Sequence, residues 1–254
     1  MCKIIFVMEA YTDFAKVYDL LMDNVPYGAW TERVREELGA VGITDGLVLD
    51  LACGSGTVTE ALAEAGYDMI GVDLSPEMLN VARQKADESG RDILFLCQDM
   101  REFELYGTVR AVVCLCDSLN YLLSPEEVLQ CFKLVNNYLD PGGVFIFDFN
   151  TVHKYRDCIG DAVIAEQREE CSFIWDNRYE DGINDCELKA FVLAEDGRYD
   201  AFTEEHLQRG YEEEVMRALL EEAGLRFVKS WWGPEEEGER MFVMARECTK
   251  GEKL

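Results

Sequence analysis

Basic residues are scarce in this chain: 24 Lys and Arg stand against 51 Asp and Glu, a formal charge of -27. Nucleic-acid binding draws its affinity largely from Lys and Arg neutralising phosphates, and no basic cluster stands out, so no nucleic-acid partner is expected. Solubility or a salt-adapted surface accounts for most of the acidity. Histidine is scarcer still, with His153 and His206 alone. The ten cysteines include no Cys-x-x-Cys pair, so no metal site is expected. Cys53, Cys97, Cys114 and Cys131 fall in apolar segments, where a free thiol behaves as a small hydrophobe, and free thiols imply a reducing, cytoplasmic setting. No apolar run approaches membrane-spanning length, so no membrane contact is expected, and 4–8 is too short for a signal-peptide core. Met8 is an alternative translation start to Met1. Repeats and low-complexity linkers are also missing, and 254 residues fit one large domain or one domain with an insertion.

What is present concentrates at the ends of apolar strands. Leu47-Val-Leu-Asp-Leu-Ala-Cys-Gly-Ser-Gly56 reads as a strand buried on both faces that runs into a glycine turn, with Asp50 held near its end. Gly54 and Gly56 let the backbone pass close to a ligand, and a helix over 57–65 points its N-terminus at the same place. Gly-x-Gly after a strand also opens dinucleotide-binding folds. Here the third small position of that fingerprint falls on β-branched Thr59, and Asp50 would repel a pyrophosphate. A carboxylate at that point suits a phosphate-free ligand with a cationic amino group, such as the methionine end of S-adenosylmethionine.

A second strand over 69–72 ends at Asp73, followed by Leu74-Ser-Pro-Glu-Met78, and an acid there can accept from both hydroxyls of a ribose. A third, over 93–97, ends in Gln98-Asp99-Met100, with Asp99 placed for an adenine amino group and Met100 for the ring. Three parallel strands ending in three carboxylates make one crevice. In this order of motifs the chain resembles the class I S-adenosylmethionine-dependent methyltransferases.

The resemblance extends over most of the chain. A strand over 109–116 ends in Asp117-Ser-Leu-Asn-Tyr121; a helix over 124–139 follows, and a Pro141-Gly-Gly143 turn leads into a fifth strand over 144–149. Tyr11-x-x-Phe14-Ala15-x-x-Tyr18-Asp19, with Asp148-Phe-Asn-Thr151, resembles a bacterial small-molecule branch whose N-terminal helix covers the methionine moiety. Tyr11 and Tyr18 are spaced equally well for an amphipathic helix packing on the core. The resemblance implies cofactor contacts at Tyr11, Tyr18, Asp50, Ala52, Gly54, Gly56, Asp73, Leu74, Met78, Asp99, Met100 and Cys116. It implies an α/β, doubly wound, Rossmann-like fold with a seven-stranded, mostly parallel sheet.

After Thr151 the pattern changes to alternating segments at 162–170, 172–180, 185–194 and 198–207, with hairpin turns at Asp181-Gly182 and Asp196-Gly197. This antiparallel insert after the fifth strand, 152–209, is expected to cover the transferred methyl group and choose the substrate. Residues 1–151 and 210–254 form the cofactor domain, closed by a helix over 212–223 and strands over 226–232 and 240–246. Within and beside the insert, Trp175, Arg178, Tyr199, His206, Arg209 and Tyr211 are candidates for the acceptor site, although strand aromatics also serve as cross-strand packing pairs.

The implied reaction is transfer of the methyl group of S-adenosylmethionine, leaving S-adenosylhomocysteine, to a small-molecule acceptor by in-line displacement. His206 is the first candidate for a base, because imidazole titrates near neutrality, with Tyr121 and Asp117 next. A non-catalytic S-adenosylmethionine-binding protein and a dinucleotide-dependent oxidoreductase remain the alternatives. Monomer and homodimer are equally compatible with the sequence.

Overall fold

Along the central strands, successive side chains enter two different cores, which is why these segments are apolar on both faces. The computed structural model describes Ala15 and residues 18–194, 196–234 and 237–250. Helices α1 (Tyr18–Leu21) and α2 (Tyr27–Ala40) lead into β1 (Gly46–Leu51), α3 (Thr57–Glu64), β2 (Tyr67–Asp73), α4 (Pro76–Ser89), β3 (Leu94–Cys97) and β4 (Val109–Cys114). A 3-10 turn at Ser118–Tyr121 precedes α5 (Pro125–Tyr138) and β5 (Leu139–Asn150). Next come a π-helical turn (Lys154–Ile159) and strands β6 (Val163–Gln167), β7 (Cys171–Glu180), β8 (Ile183–Leu193) and β9 (Tyr199–Arg209). The chain returns to the main sheet with α6 (Glu213–Glu222), β10 (Leu225–Trp232) and β11 (Arg240–Glu247).

The seven-stranded sheet has the order β10-β11-β5-β4-β1-β2-β3. Strands β1 to β5 pair in parallel, and β11 runs against its neighbours β5 and β10. Leu49, Val112, Phe145 and Phe147 pack with Phe132 of α5 and Leu220 of α6, while Val48, Val113 and Ile146 pack with Trp30 and Leu38 of α2 and Leu62 of α3. Both faces are therefore covered, and the strand order reverses between β1 and β4, where a ligand crevice is expected in such sheets. Ser75 and Ser124 cap α4 and α5 by accepting from the Met78 and Glu127 N–H groups, each followed by proline at the first helical position.

One turn takes a different form. The strand containing Pro141-Gly-Gly143 already begins at Leu139, which pairs with Val109, whereas Val144 pairs with Ala111. Residues 140–143 bulge out of the ladder, with Gly142 at φ 74°, and pairing resumes beyond them in a shifted register.

The second sheet has the order β6-β7-β8-β9 and is antiparallel throughout. Its Cys171, Leu188 and Ala190 bury against Leu21 of α1. Arg168, between β6 and β7, donates to the Leu20 and Leu21 carbonyls at 3.1 and 3.4 Å, satisfying acceptors at the end of α1. Among the described residues, no helix is long and apolar enough to cross a membrane.

Candidate active site

At the carboxyl ends of β1 and β4 the backbone is held in the left-handed region at residues that are not glycine: Ala52 (φ 62°), Cys116 (φ 64°) and Asp117 (φ 50°). Such conformations cost of order 1–3 kcal/mol each and gather at functional sites. Gly54 (φ 55°) and Gly56 (φ 78°) alternate with Ala52, turning the chain sharply before α3. A Cβ added at Gly54 would meet nothing within 4 Å and would project into open space, whereas one at Gly56 would stand 3.0 Å from the Ala82 methyl. Gly56 therefore serves the packing of α3 on α4.

That open space is a cavity of about 600 Å³. Of the residues singled out in the sequence, Tyr18, Asp50, Ala52, Gly54, Asp73, Leu74, Met78, Asp99, Met100, Cys116, Tyr121 and His206 line it. Tyr11 lies outside the described residues. Gly56 and Asp117 do not appear on the lining.

The three strand-end acids are held differently. Asp50 is buried, and its Oδ2 accepts from the Thr59 hydroxyl at 2.6 Å. Burial pushes its carboxyl up to about 7, against the Thr59 bond, which favours the anion. Thr59, read in the sequence only as an obstacle to pyrophosphate, is thus the partner of the first acid. Asp73 accepts from the Gly54 N–H at 2.8 Å and the Ser75 N–H at 2.9 Å, tying the glycine turn to the end of β2, and burial raises its carboxyl above the ordinary value. Burial also raises Asp99, but Arg101 outweighs it, donating from Nε to both carboxylate oxygens at 3.0 Å, and leaves the group below its ordinary value. Arg101 also donates to Glu127 at 2.6 Å and is the sole Lys or Arg on the described lining.

Near the end of β4, the hydroxyls of Tyr18 and Tyr27 lie 3.2 Å apart and 3.9 and 3.6 Å from the Cys116 sulfur. Burial pushes the Cys116 thiol up to about 12, so it stays protonated at neutral pH. Tyr27 went unnoticed in the sequence; its position at the first turn of α2, opposite Tyr18, is visible only once the chain is folded. Above the glycine turn, Asp19 of α1 accepts from the Ser55 hydroxyl at 2.6 Å and pairs with Lys85, fastening α1 to that turn and to α4.

From the second sheet, β9 contributes Glu205, His206 and Leu207 to the lining. His206 Nδ1 and the Tyr121 hydroxyl share a hydrogen bond of 3.1 Å, and Nε2 lies 3.6 Å from Glu204. Burial pushes the imidazole down to about 4, leaving it neutral at physiological pH. Tyr121 is positioned by its neighbour Asn120, whose side chain donates to the Asn150 and Arg209 carbonyls at 2.9 and 2.6 Å and accepts from the Asn150 N–H at 2.9 Å.

Asp117 is engaged elsewhere. Arg240 donates to its Oδ1 and Gln208 to its Oδ2, at 2.6 and 2.8 Å, while the Asp117 N–H donates to Asp148 at 3.1 Å. Arg240 also donates to Asp148 and stacks its guanidinium over Trp30, 5.0 Å from the ring centre. With both carboxylate oxygens occupied, Asp117 fits the role of a brace better than that of a proton acceptor. The other candidates within and beside the insert, Trp175, Arg178, Tyr199, Arg209 and Tyr211, are also absent from the described lining. Arg209 and Tyr211 donate to the Leu123 and Leu122 carbonyls, Trp175 packs edge-on against Phe173, and Tyr199 is exposed.

Residues 48–143 match the family described as "Methyltransferase domain". Over 243 residues the chain is 37% identical to "Putative methyltransferase YqeM" of Bacillus subtilis (strain 168), a match covering 93% of this chain and 96% of that protein. It superposes with a TM-score of 0.86 and 30% identity on an S-adenosylmethionine-dependent methyltransferase from Clostridium acetobutylicum ATCC 824, covering 95% of this chain and 100% of the other. The chain belongs to the S-adenosylmethionine-dependent methyltransferases. A further match, Streptomyces venezuelae DesVI, has a TM-score of 0.79 at 25% identity and covers 91% of this methyltransferase and 98% of that chain. Family membership sets the dinucleotide-dependent oxidoreductase aside.

Proposed function

We propose that this methyltransferase acts on a small, phosphate-free acceptor, an amine or a neutral hydroxyl compound, held against Tyr121 and His206. The observation that carries this reading is one cavity lined both by the strand-end acids and by the Tyr121–His206 pair, with Arg101 the sole Lys or Arg of the described lining and already paired. Such a lining attracts cations and offers little to a diphosphate or a nucleic-acid backbone.

The donor set fits S-adenosylmethionine, which when bound supplies a methyl group on a sulfonium for in-line displacement. Asp73 would accept from the ribose hydroxyls with the lone pairs left by Gly54 and Ser75. Asp99 would meet the adenine amino group, with Leu74, Met78 and Met100 against the ring. Asp50 would hold the cationic amino group, and Ala52, Gly54, Cys116 and Tyr18 would wall the methionine part. The protein's contribution is chiefly alignment, which can supply about 7–11 kcal/mol in favourable cases. His206, neutral at physiological pH, accepts or orients through a ring nitrogen rather than acting as a strong base. We read residues 152–209 as an inserted lid over the cofactor domain formed by 1–151 and 210–254. The contribution of β9 to the lining and the Arg168 bonds to α1 support that division.

Asp50 makes cofactor affinity depend on pH. Its carboxyl must be ionised to pair with a cation, and burial sets it at about 7. Affinity should therefore rise between pH 6 and 8, by about tenfold at most, with proton release on binding at the lower pH. Calorimetric titration in buffers of different ionisation enthalpy measures both effects. Asp50→Asn should bind more weakly and flatten the profile; a flat wild-type profile would remove Asp50 from contact with the cation.

The acceptor class is tested by incubating the protein with methyl-labelled S-adenosylmethionine and separated pools of small amines, neutral metabolites, RNA and protein. Label is expected in the small-molecule pools. Label in RNA would overturn the acceptor class, and cofactor binding without transfer to any pool would favour the non-catalytic binder.

A further inference from the structure

Outside the cavity, the π-helical turn that follows β5 assembles a second set of reactive groups. The turn closes with the Gly160 N–H donating to the Tyr155 carbonyl at 2.8 Å, one residue further back than in an α-helix. The widened turn brings both Asp157 and Cys158 over the ring of His153. His153 Nδ1 lies 2.9 Å from Asp157 Oδ2, and Nε2 lies 3.5 Å from the Cys158 sulfur. Arg156 donates to both oxygens of Asp157, at 2.9 and 2.7 Å, and together with His153 holds that carboxyl well below the usual range. The order is carboxylate, imidazole, thiol, in which the acid orients the ring and the ring takes the thiol proton.

The rest of the turn is anchored. Tyr155 is buried, and its hydroxyl accepts from the Asn150 amide at 3.0 Å. Lys154 pairs with Glu239 at 3.5 Å, and Gly238 leaves so little room that an added Cβ would lie 3.1 Å from the His153 ring. Meanwhile Cys158 is exposed, and the His153 side chain is 51% exposed. The other exposed thiols of the described residues have different surroundings: Cys97 donates to the Leu74 carbonyl at 3.4 Å and Cys248 to the Gly224 carbonyl at 3.6 Å.

We propose that Cys158 is a thiol-modification site, a nucleophile activated by His153 and Asp157 that exchanges with small-molecule disulfides to form a mixed disulfide. Cys158 gives its proton to His153 Nε2, and the thiolate attacks one sulfur of the disulfide. A bond forms between Cys158 and that sulfur as the original S–S bond breaks. The departing thiolate takes the proton back from His153. Cys158 is oxidised, the released thiol is the reduced product, and no further oxidant is required. The methyltransferase cavity takes no part in this exchange.

The test uses the full-length protein with limiting iodoacetamide at pH 7 and peptide mass spectrometry to follow each cysteine separately. Cys158 should be alkylated about tenfold faster or more than Cys97 and Cys248, since thiolate character and exposure set the rate. His153→Asn should bring it down to their level, with Asp157→Asn between the two. With hydroxyethyl disulfide, wild-type protein should gain one adduct, located at Cys158, and His153→Asn should gain it at the rate of Cys97. All three side chains are on the surface, and a thermal melt verifies that the variants fold as wild type does. A Cys158 rate equal to that of Cys97, or one unaffected by His153→Asn, would overturn the proposal.

Discussion

Arg240→Met is expected to destabilise the protein by about 3–5 kcal/mol, the range for removing one partner of a buried ion pair. The guanidinium of Arg240 is buried between Asp148 on β5 and Asp117 at the end of β4, with Trp30 beneath it. Methionine preserves much of the stem packing on Trp30 but leaves two carboxylates without their cation. Burial already pushes Asp148 up to about 6 with Arg240 present. Without it, the acid must either remain charged in a dry environment or take up a proton. The effect should extend to the cavity, because Asp117 immediately precedes the turn that carries Tyr121. Urea denaturation measures the loss, and adding Asp148→Asn to Arg240→Met should recover part of it. A loss below about 1 kcal/mol would mean that the triad is balanced by its own desolvation.

The second large effect is on turnover. His206→Asn and Tyr121→Phe should each lower kcat by about 10²-fold or more while leaving cofactor affinity nearly unchanged, as expected for groups that orient a reacting hydrogen. Their shared bond of 3.1 Å implies that the double variant loses little more than either single one. The pH profile separates orientation from strong-base catalysis. With the imidazole at about 4, activity should fall through protonation of His206 only below about pH 5, and the rise near pH 7 should follow Asp50 and cofactor affinity. A kcat profile with a single ionisation near 6.5 that disappears in His206→Asn would show that the ring titrates as an ordinary, solvated histidine. Full activity of His206→Asn would remove it from the acceptor site.

Much of this architecture was legible in the sequence because it is written locally. The alternation in Leu47 to Leu51 and Val144 to Phe149 marks strands covered on both faces, and the acids at their ends mark where those strands open. Asp181-Gly182 and Asp196-Gly197 announced the hairpins of the second sheet, which pair as expected. What escaped depends on contacts between distant segments. Arg240 meets Asp148 and Asp117 across 92 and 123 positions, and nothing around it in the chain distinguishes it from a surface arginine. Arg101 was unremarkable beside Asp99, although it occupies both of that acid's oxygens. Asp117 looked like a strand-end base because its partners come from β9 and β11. Thr59 was noticed for its shape, while its hydroxyl bond to Asp50 needed the fold of the glycine turn to be seen.

The account rests on Asp73 and the glycine turn forming the floor of an S-adenosylmethionine site. The most direct test is isothermal titration of wild type, Asp73→Ala and Asp73→Asn with S-adenosylmethionine at pH 7.5, with NAD as control. Wild type should bind S-adenosylmethionine at one site per chain and ignore NAD. Asp73→Ala should bind more weakly by about 1.5–3 kcal/mol, the range for hydrogen bonds to a charged group. Asp73→Asn, which keeps an oxygen for the Gly54 N–H, should fall between them and report the ribose contact apart from the shape of the turn. Equal affinity in all three proteins, or saturable binding of NAD in place of S-adenosylmethionine, would contradict the account.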